Sequence, residues 1–371
     1  MSKQETSHTN IYQMAGAFGV ATLIVAVILG IAVFNMSDLV PLAGPQSIAI
    51  VVVGISVVFG IAITLIVYRA IHEEDEEQLH EMVQATERAR SNWISRLAIS
   101  LVVGVLLLLF SIITLYVITR FAGGLVFRPV LALAVVGVYG GILGYVLAYW
   151  AARLSTGNLL TIIGLFGVLG LTTAMIAVDD PDWFANSLSF MGHDSGSDMW
   201  FNMTMILIGL SLLAFNRDIL NYLGLLLKRG LLIPLRFQIL RAMLLVIPIL
   251  VSFIGLFPTT VTPFSDFMHN VSAFTAFALY MLLMFTLPWF LPIYPKGFIN
   301  RSRVFGLITL AWHVPWYAGL IEFTLLEILL IGTLGIWILH FYEQTIQVVQ
   351  GIVAAEKAEI AAGEPAVAAA E

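Results

Sequence analysis

The chain has no cysteine among its 371 residues, which excludes disulfide bonds, thiolate metal sites and cysteine nucleophiles together. Charge is scarce too. Asp, Glu, Lys and Arg make up 11% of the residues against 60% hydrophobic ones, and the mean hydropathy is +0.98, far outside the range of a soluble globular domain. No Walker loop, dinucleotide fingerprint, HExxH or GxSxG pattern occurs, so the activities those motifs carry have no support. No nucleic-acid partner is expected: the net charge of -6 comes largely from the "EEDEE" run at 73 to 77 and the tail after Glu343, neither of which suggests one.

What is abundant is continuous apolar sequence. A helix needs about 20 apolar residues to cross about 30 Å of hydrocarbon; several runs exceed that length, and ten spans are placed at roughly 12 to 34, 46 to 68, 97 to 119, 129 to 152, 157 to 177, 199 to 215, 238 to 256, 270 to 292, 303 to 318 and 320 to 342. The runs do not alternate as barrel strands would, so the expected fold is an all-α integral membrane protein of about ten transmembrane helices. The first run, Tyr12 to Phe34, is longer than a signal-peptide core and reads as a retained span.

Five regions follow. They are a two-span hairpin (1–68), an acidic cytoplasmic helix (69–96), a second two-span segment (97–156), a six-span unit (157–342) and an Ala/Glu-rich tail (343–371). The segment 69–96 reads as a solvated spacer with a partner-binding helix as the alternative, and 216–236 as a basic, Leu-rich stretch lying along the inner membrane surface. The glycines of "GGLVFRPVLALAVVGVYGGILG" (123–144) suit close helix packing, within the chain or against a second copy.

Lys and Arg set orientation. With the N-terminus inside, fifteen of the seventeen fall on inner segments and only Arg120 and Arg128 on outer ones, which predicts cytoplasmic termini. The outer side then holds a cluster of polar loops free of Lys and Arg. Loop five to six offers Asp179, Asp180, Asp182, His193, Asp194 and Asp198; loop seven to eight offers Asp266 and His269; the last turn offers Glu322. His193, His269, Asp194, Asp198 and Asp266 are of the types that ligate zinc, although Asp198 and Asp266 also stand where helix caps belong. Two ionisable residues lie within apolar runs. Glu327 is expected about 12 Å inward of Gly319 on a helix, and His313 sits near the middle of the ninth run as a packed, hydrogen-bonded side chain.

Four short segments carry a family resemblance. These are "LSFMG" (188–192), "WFNMTMILIGL" (200–210), "GLFP" (255–258) with "MHNVSAFTAF" (268–277), and "GLIEFTLLEILLIGTLGIWIL" (319–339). In that order they resemble the six-span bacterial and archaeal membrane family known as domain of unknown function 998, similar in layout to DRAM/FRAG-type membrane proteins. The resemblance covers residues 157–342 and implies a prokaryotic cell-membrane location, with Ser189, Gly192, Asn202, Pro258 and His269 at motif positions. Phe190 and Phe323 depart from the pattern, standing where polar and basic residues are common. No reaction is implied.

Together these features predict a protein that binds or handles a lipid or small amphiphile in an outer-face pocket formed by Ser189, Gly192, His193, Asp194, Asp198, Asn202, Asp266, His269 and Glu322. The alternatives are a metal-dependent lipid hydrolase, with zinc as the metal its ligand types would suit; a proton-coupled transporter working through Glu327; and an assembly protein recruiting a partner, or a second copy, through 69–96.

Overall fold

Hydrocarbon offers a backbone N–H or C=O no water to bond, so each apolar run must satisfy its own polar groups, and a helix does so within one segment. The structure, a computed structural model describing residues 3–80, 89–122, 124–153 and 156–361, is all-α accordingly. Its helices are α1 (Lys3–Val33), α2 (Ile48–His80), α3 (Ala89–Ala122), α4 (Pro129–Ala151), α5 (Thr156–Ala177), α6 (Asp198–Lys228), α7 (Pro234–Leu256), α8 (Pro263–Phe290), α9 (Lys296–Ala311), α10 (His313–Tyr317) and α11 (Phe323–Ala361). Two-residue strands β1 (Val40–Pro41) and β2 (Val126–Phe127) pair antiparallel.

Eight of the described helices are long and apolar enough to cross a membrane, so the protein is of multi-pass membrane type. All ten expected runs are helical, yet two fall short of that measure. The described apolar part of α5 is Thr161–Ala177. The ninth run breaks at Trp312 into α9 and α10, and α9 carries Lys296, Arg301 and Arg303. Beyond α10 the chain reverses through Gly319, whose φ of 67° favours glycine.

One expectation is corrected. Residues 216 to 228 do not lie apart along a surface; they continue α6 as a 31-residue helix. Gly224 is accommodated inside the helix, which ends only where Gly230 takes a φ of 73°, and Ile219, Leu223 and Leu226 are fully buried along one face of the extension. Of the expected acidic helix, residues 69–80 belong to α2 and 89–96 to α3. Residues 81–88, the side chains of 69–96 and the tail from 362 onward lie outside the described residues, and with them the partner reading of that segment.

The chain forms two compact units, Met1–Thr173 and Ala174–Glu371, the division falling inside α5. In the first, α4 packs on α1 through its glycines. A Cβ on Gly140 would come 2.6 Å from Ala26 Cβ and 3.0 Å from the Thr22 carbonyl oxygen. Thr22 Oγ1 donates to the Gly140 carbonyl at 2.8 Å, so the small residues admit an interhelical hydrogen bond. The glycine face is therefore covered from within the chain. Ser56 Oγ and Tyr139 OH, 2.7 Å apart, tie α2 to α4.

In the second unit α6, α7 and α8 pack in succession, α9 lies against α8 and α11, and α11 returns against α6. Gly255 lets α7 approach α6, since a Cβ there would stand 2.3 Å from the Asn202 carbonyl oxygen. Deeper in, Asn216 of α6 donates to the Leu244 carbonyl of α7 and accepts from Tyr342 OH of α11. Three helices are thus joined through one amide that both donates and accepts, and a low-dielectric interior strengthens both bonds.

Candidate functional site

Between α5 and α6 the chain folds into two short 3-10 turns, Trp183–Ala185 and Leu188–Gly192. Ser187 caps the second, its hydroxyl accepting from Phe190 N at 3.2 Å. Asp194 then staples the loop: its Oδ1 accepts from Asp179 N at 3.0 Å, Gly196 N at 3.1 Å and Ser197 Oγ at 3.3 Å. The hydrogen bond from the Asp179 amide, followed by those from other loop donors, holds its carboxyl below the usual range. Asn202, one turn into α6, donates to the Gly192 carbonyl at 2.7 Å. Gly192 has to be small here, because a Cβ would meet Asn202 Oδ1 at 2.9 Å and the Phe201 ring at 3.1 Å.

The turn places Ser189 between two helices. His269 of α8 brings Nε2 to 3.0 Å from Ser189 Oγ, while its Nδ1 stands 3.0 Å from the carbonyl oxygens of both Ile254 and Phe257 at the end of α7. Glu327 of α11 accepts from Leu188 N at 2.5 Å through Oε2, and its Oε1 lies 3.4 Å from Ser189 Oγ. His269 is only 3% exposed, whereas Ser189 is half-buried. Thr259 adds a loose bond, its hydroxyl donating to the Ser189 carbonyl at 3.4 Å.

Ser189, Gly192, Asn202 and His269 are therefore adjacent parts of one arrangement, and Glu327 joins it. The break after Gly319 delays the start of α11 to Phe323, so Glu327 lies about 6 Å into its helix rather than the expected depth of about 12 Å. Its isolation in an apolar run marks it in the sequence as a buried acid, but nothing in the spacing pairs it with Ser189.

Other residues take different places. Asp198 is the first residue of α6 and accepts from its neighbour Met199 N, and the cap position belongs to Ser197. Thr262 caps α8 by accepting from Ser265 N at 3.0 Å, while Asp266 reaches back to Thr260 N. Glu322 is exposed just before α11. His313 sits at the α9–α10 break, 5.9 Å from the Phe277 ring and 6.5 Å from the Trp316 ring. Its Nδ1 is buried with no partner among the described residues.

Among the described residues no group of three or more His, Asp or Glu side chains comes together to hold a metal. Asp194, Asp198 and Asp266 are each engaged by backbone amides instead. Two buried polar atoms beside the Ser189 turn, His193 Nδ1 and Asn202 Oδ1, have no partner among the described residues, and neither does Ser272 Oγ one turn beyond His269. A separate groove of about 370 Å³, lined by residues including Pro288, Tyr294, Lys296, Asn300 and Arg303, lies near the other end of α8. It takes no part in the Ser189 cluster. Comparison with protein families, curated proteins and solved structures finds no match to this chain.

Proposed function

We propose that the protein binds a membrane lipid or small amphiphile, with Ser189, His269 and Glu327 meeting its polar part and the surrounding helices its apolar part. The observation that carries this reading is the convergence of a hydroxyl, an imidazole and a carboxyl from three elements at one end of an otherwise apolar bundle. Buried polar atoms without partners cost about 1–3 kcal/mol each. His193 Nδ1, Asn202 Oδ1 and Ser272 Oγ beside the cluster offer further bonds to a ligand's polar groups.

Depth supports a lipid. At 1.5 Å per residue α8 is about 42 Å long, the thickness of a bilayer with its head-group layers, and His269 lies about 9 Å from its start. For a helix centred on the bilayer and running along its normal, that is the level where head groups give way to hydrocarbon. The proposal includes the orientation predicted from Lys and Arg, which puts the site on the outer face of a prokaryotic cell membrane with both termini in the cytoplasm. It also includes the resemblance of residues 157–342 to the domain of unknown function 998 family.

Native mass spectrometry of the detergent-purified protein tests it. Wild type is expected to retain lipid adducts, and His269→Ala to lose most of them while remaining monodisperse. Equal retention in both would remove the cluster from lipid binding.

A further inference from the structure

His269 has its proton placement dictated by its partners. Carbonyl oxygens only accept, and both oxygens facing Nδ1 are carbonyls, so Nδ1 carries the hydrogen. In the neutral ring Nε2 then presents a lone pair, and the polar atom 3.0 Å from it is Ser189 Oγ. The serine hydroxyl has one proton to give. Nε2 at 3.0 Å is the better acceptor than Glu327 Oε1 at 3.4 Å. A half-buried serine thus donates to a buried, oriented imidazole, which is the arrangement that makes a weak hydroxyl nucleophilic. Two main-chain carbonyls do the orienting that a carboxylate does in the Ser-His-Asp triad.

The geometry points to Ser189 as a nucleophile toward an acyl ester, with His269 as its general base. This rests on the lipid-binding reading and names the substrate class: an ester-linked acyl lipid, whose carbonyls lie at the depth of the cluster. Ser189 Oγ attacks the ester carbonyl carbon as its proton passes to His269 Nε2. The acyl–oxygen bond breaks, the departing alcohol takes that proton from Nε2, and the acyl group stays on Ser189. Water then attacks the acyl-serine, giving its proton to Nε2, and a carboxylic acid leaves with Ser189 Oγ reprotonated. Glu327 is a positioning residue. It seats the turn through the Leu188 amide, and its side chain lies across the serine hydroxyl from the ring. The Thr259 hydroxyl, whose bond to the Ser189 carbonyl is a loose 3.4 Å, is the candidate donor to the developing oxyanion.

The test uses the full-length protein in nanodiscs of phosphatidylcholine and phosphatidylglycerol, treated with a fluorophosphonate probe, with the adduct located by peptide mass spectrometry. The expected result is an adduct on Ser189, absent in Ser189→Ala and formed at least about 100-fold more slowly in His269→Gln. Because the adduct is mapped in wild type, the outcome does not depend on a variant folding. Wild-type protein that retains lipid yet gains no adduct on Ser189 overturns the nucleophile and leaves lipid binding standing. An adduct on Ser189 in protein that retains no lipid supports the nucleophile and overturns the binding reading. Labelling at an undiminished rate in His269→Gln overturns the base.

Discussion

Glu327 offers the sharpest check on the geometry of the cluster. Leu188 is 1% exposed, and its backbone N–H donates to Glu327 Oε2. Glu327→Ala leaves that donor buried without a partner, at a cost of about 1–3 kcal/mol. The 3.4 Å contact to Ser189 Oγ is too long to add much. Since the bond ties a short turn to α11, the loss is expected locally, as easier opening of residues 186 to 194. At 1.4 kcal/mol per factor of ten, deuterium exchange at the Leu188 amide should accelerate about 5- to 140-fold. Glu327→Gln is the control. Its carbonyl oxygen accepts from Leu188 N–H while its amide donates to Ser189 Oγ, so exchange should stay within about threefold of wild type. Exchange unchanged in Glu327→Ala would show that the turn is not held by α11. Equal acceleration in both variants would show that charge, rather than hydrogen-bond geometry, holds it.

The packing claims are open to similar tests. Gly140→Ala pushes a methyl against the unyielding Ala26 Cβ, so it should destabilise the first unit by about 1–3 kcal/mol in thermal unfolding. Gly332→Ala, with open space around it on α11, should be neutral or stabilising by less than about 1 kcal/mol; equal shifts would refute the α1–α4 approach. Tyr342→Phe should cost about 1–3 kcal/mol by removing the buried donor to Asn216 Oδ1, read as a lower Tm with α6 and α11 affected together. Asp194 sets a pH dependence. Its carboxyl is held below the usual value in the folded loop, so its contribution is complete above the ordinary carboxylate range and is lost as pH falls through the lowered one. Limited proteolysis of residues 178–197 should rise in acid below about pH 4, and Asp194→Asn should show that rise already at neutral pH.

Composition and run length alone determined the class of this protein. With little charge and long apolar stretches, helices were the form that could satisfy the backbone, and all ten runs are helical. Local chemistry was legible as well. Gly192 and Asn202 were singled out from short motifs and do touch, and the glycines of α4 do serve close packing, against α1. Where a helix ends was harder to read. The ninth run breaks at Trp312, and α6 runs on to Lys228 because buried Leu and Ile contacts carry the helix past the polar residues that suggested a surface segment. The partners of the polar side chains were out of reach altogether. Ser189, His269 and Glu327 are separated by 80 and 138 positions from the serine outward, and no periodicity links a loop turn to two distant helices. Only the packing of α8 and α11 around that turn brings the three side chains together. A hydrogen bond depends on distances of a few tenths of an ångström, and these are set by how helices approach one another in space rather than by spacing along the chain.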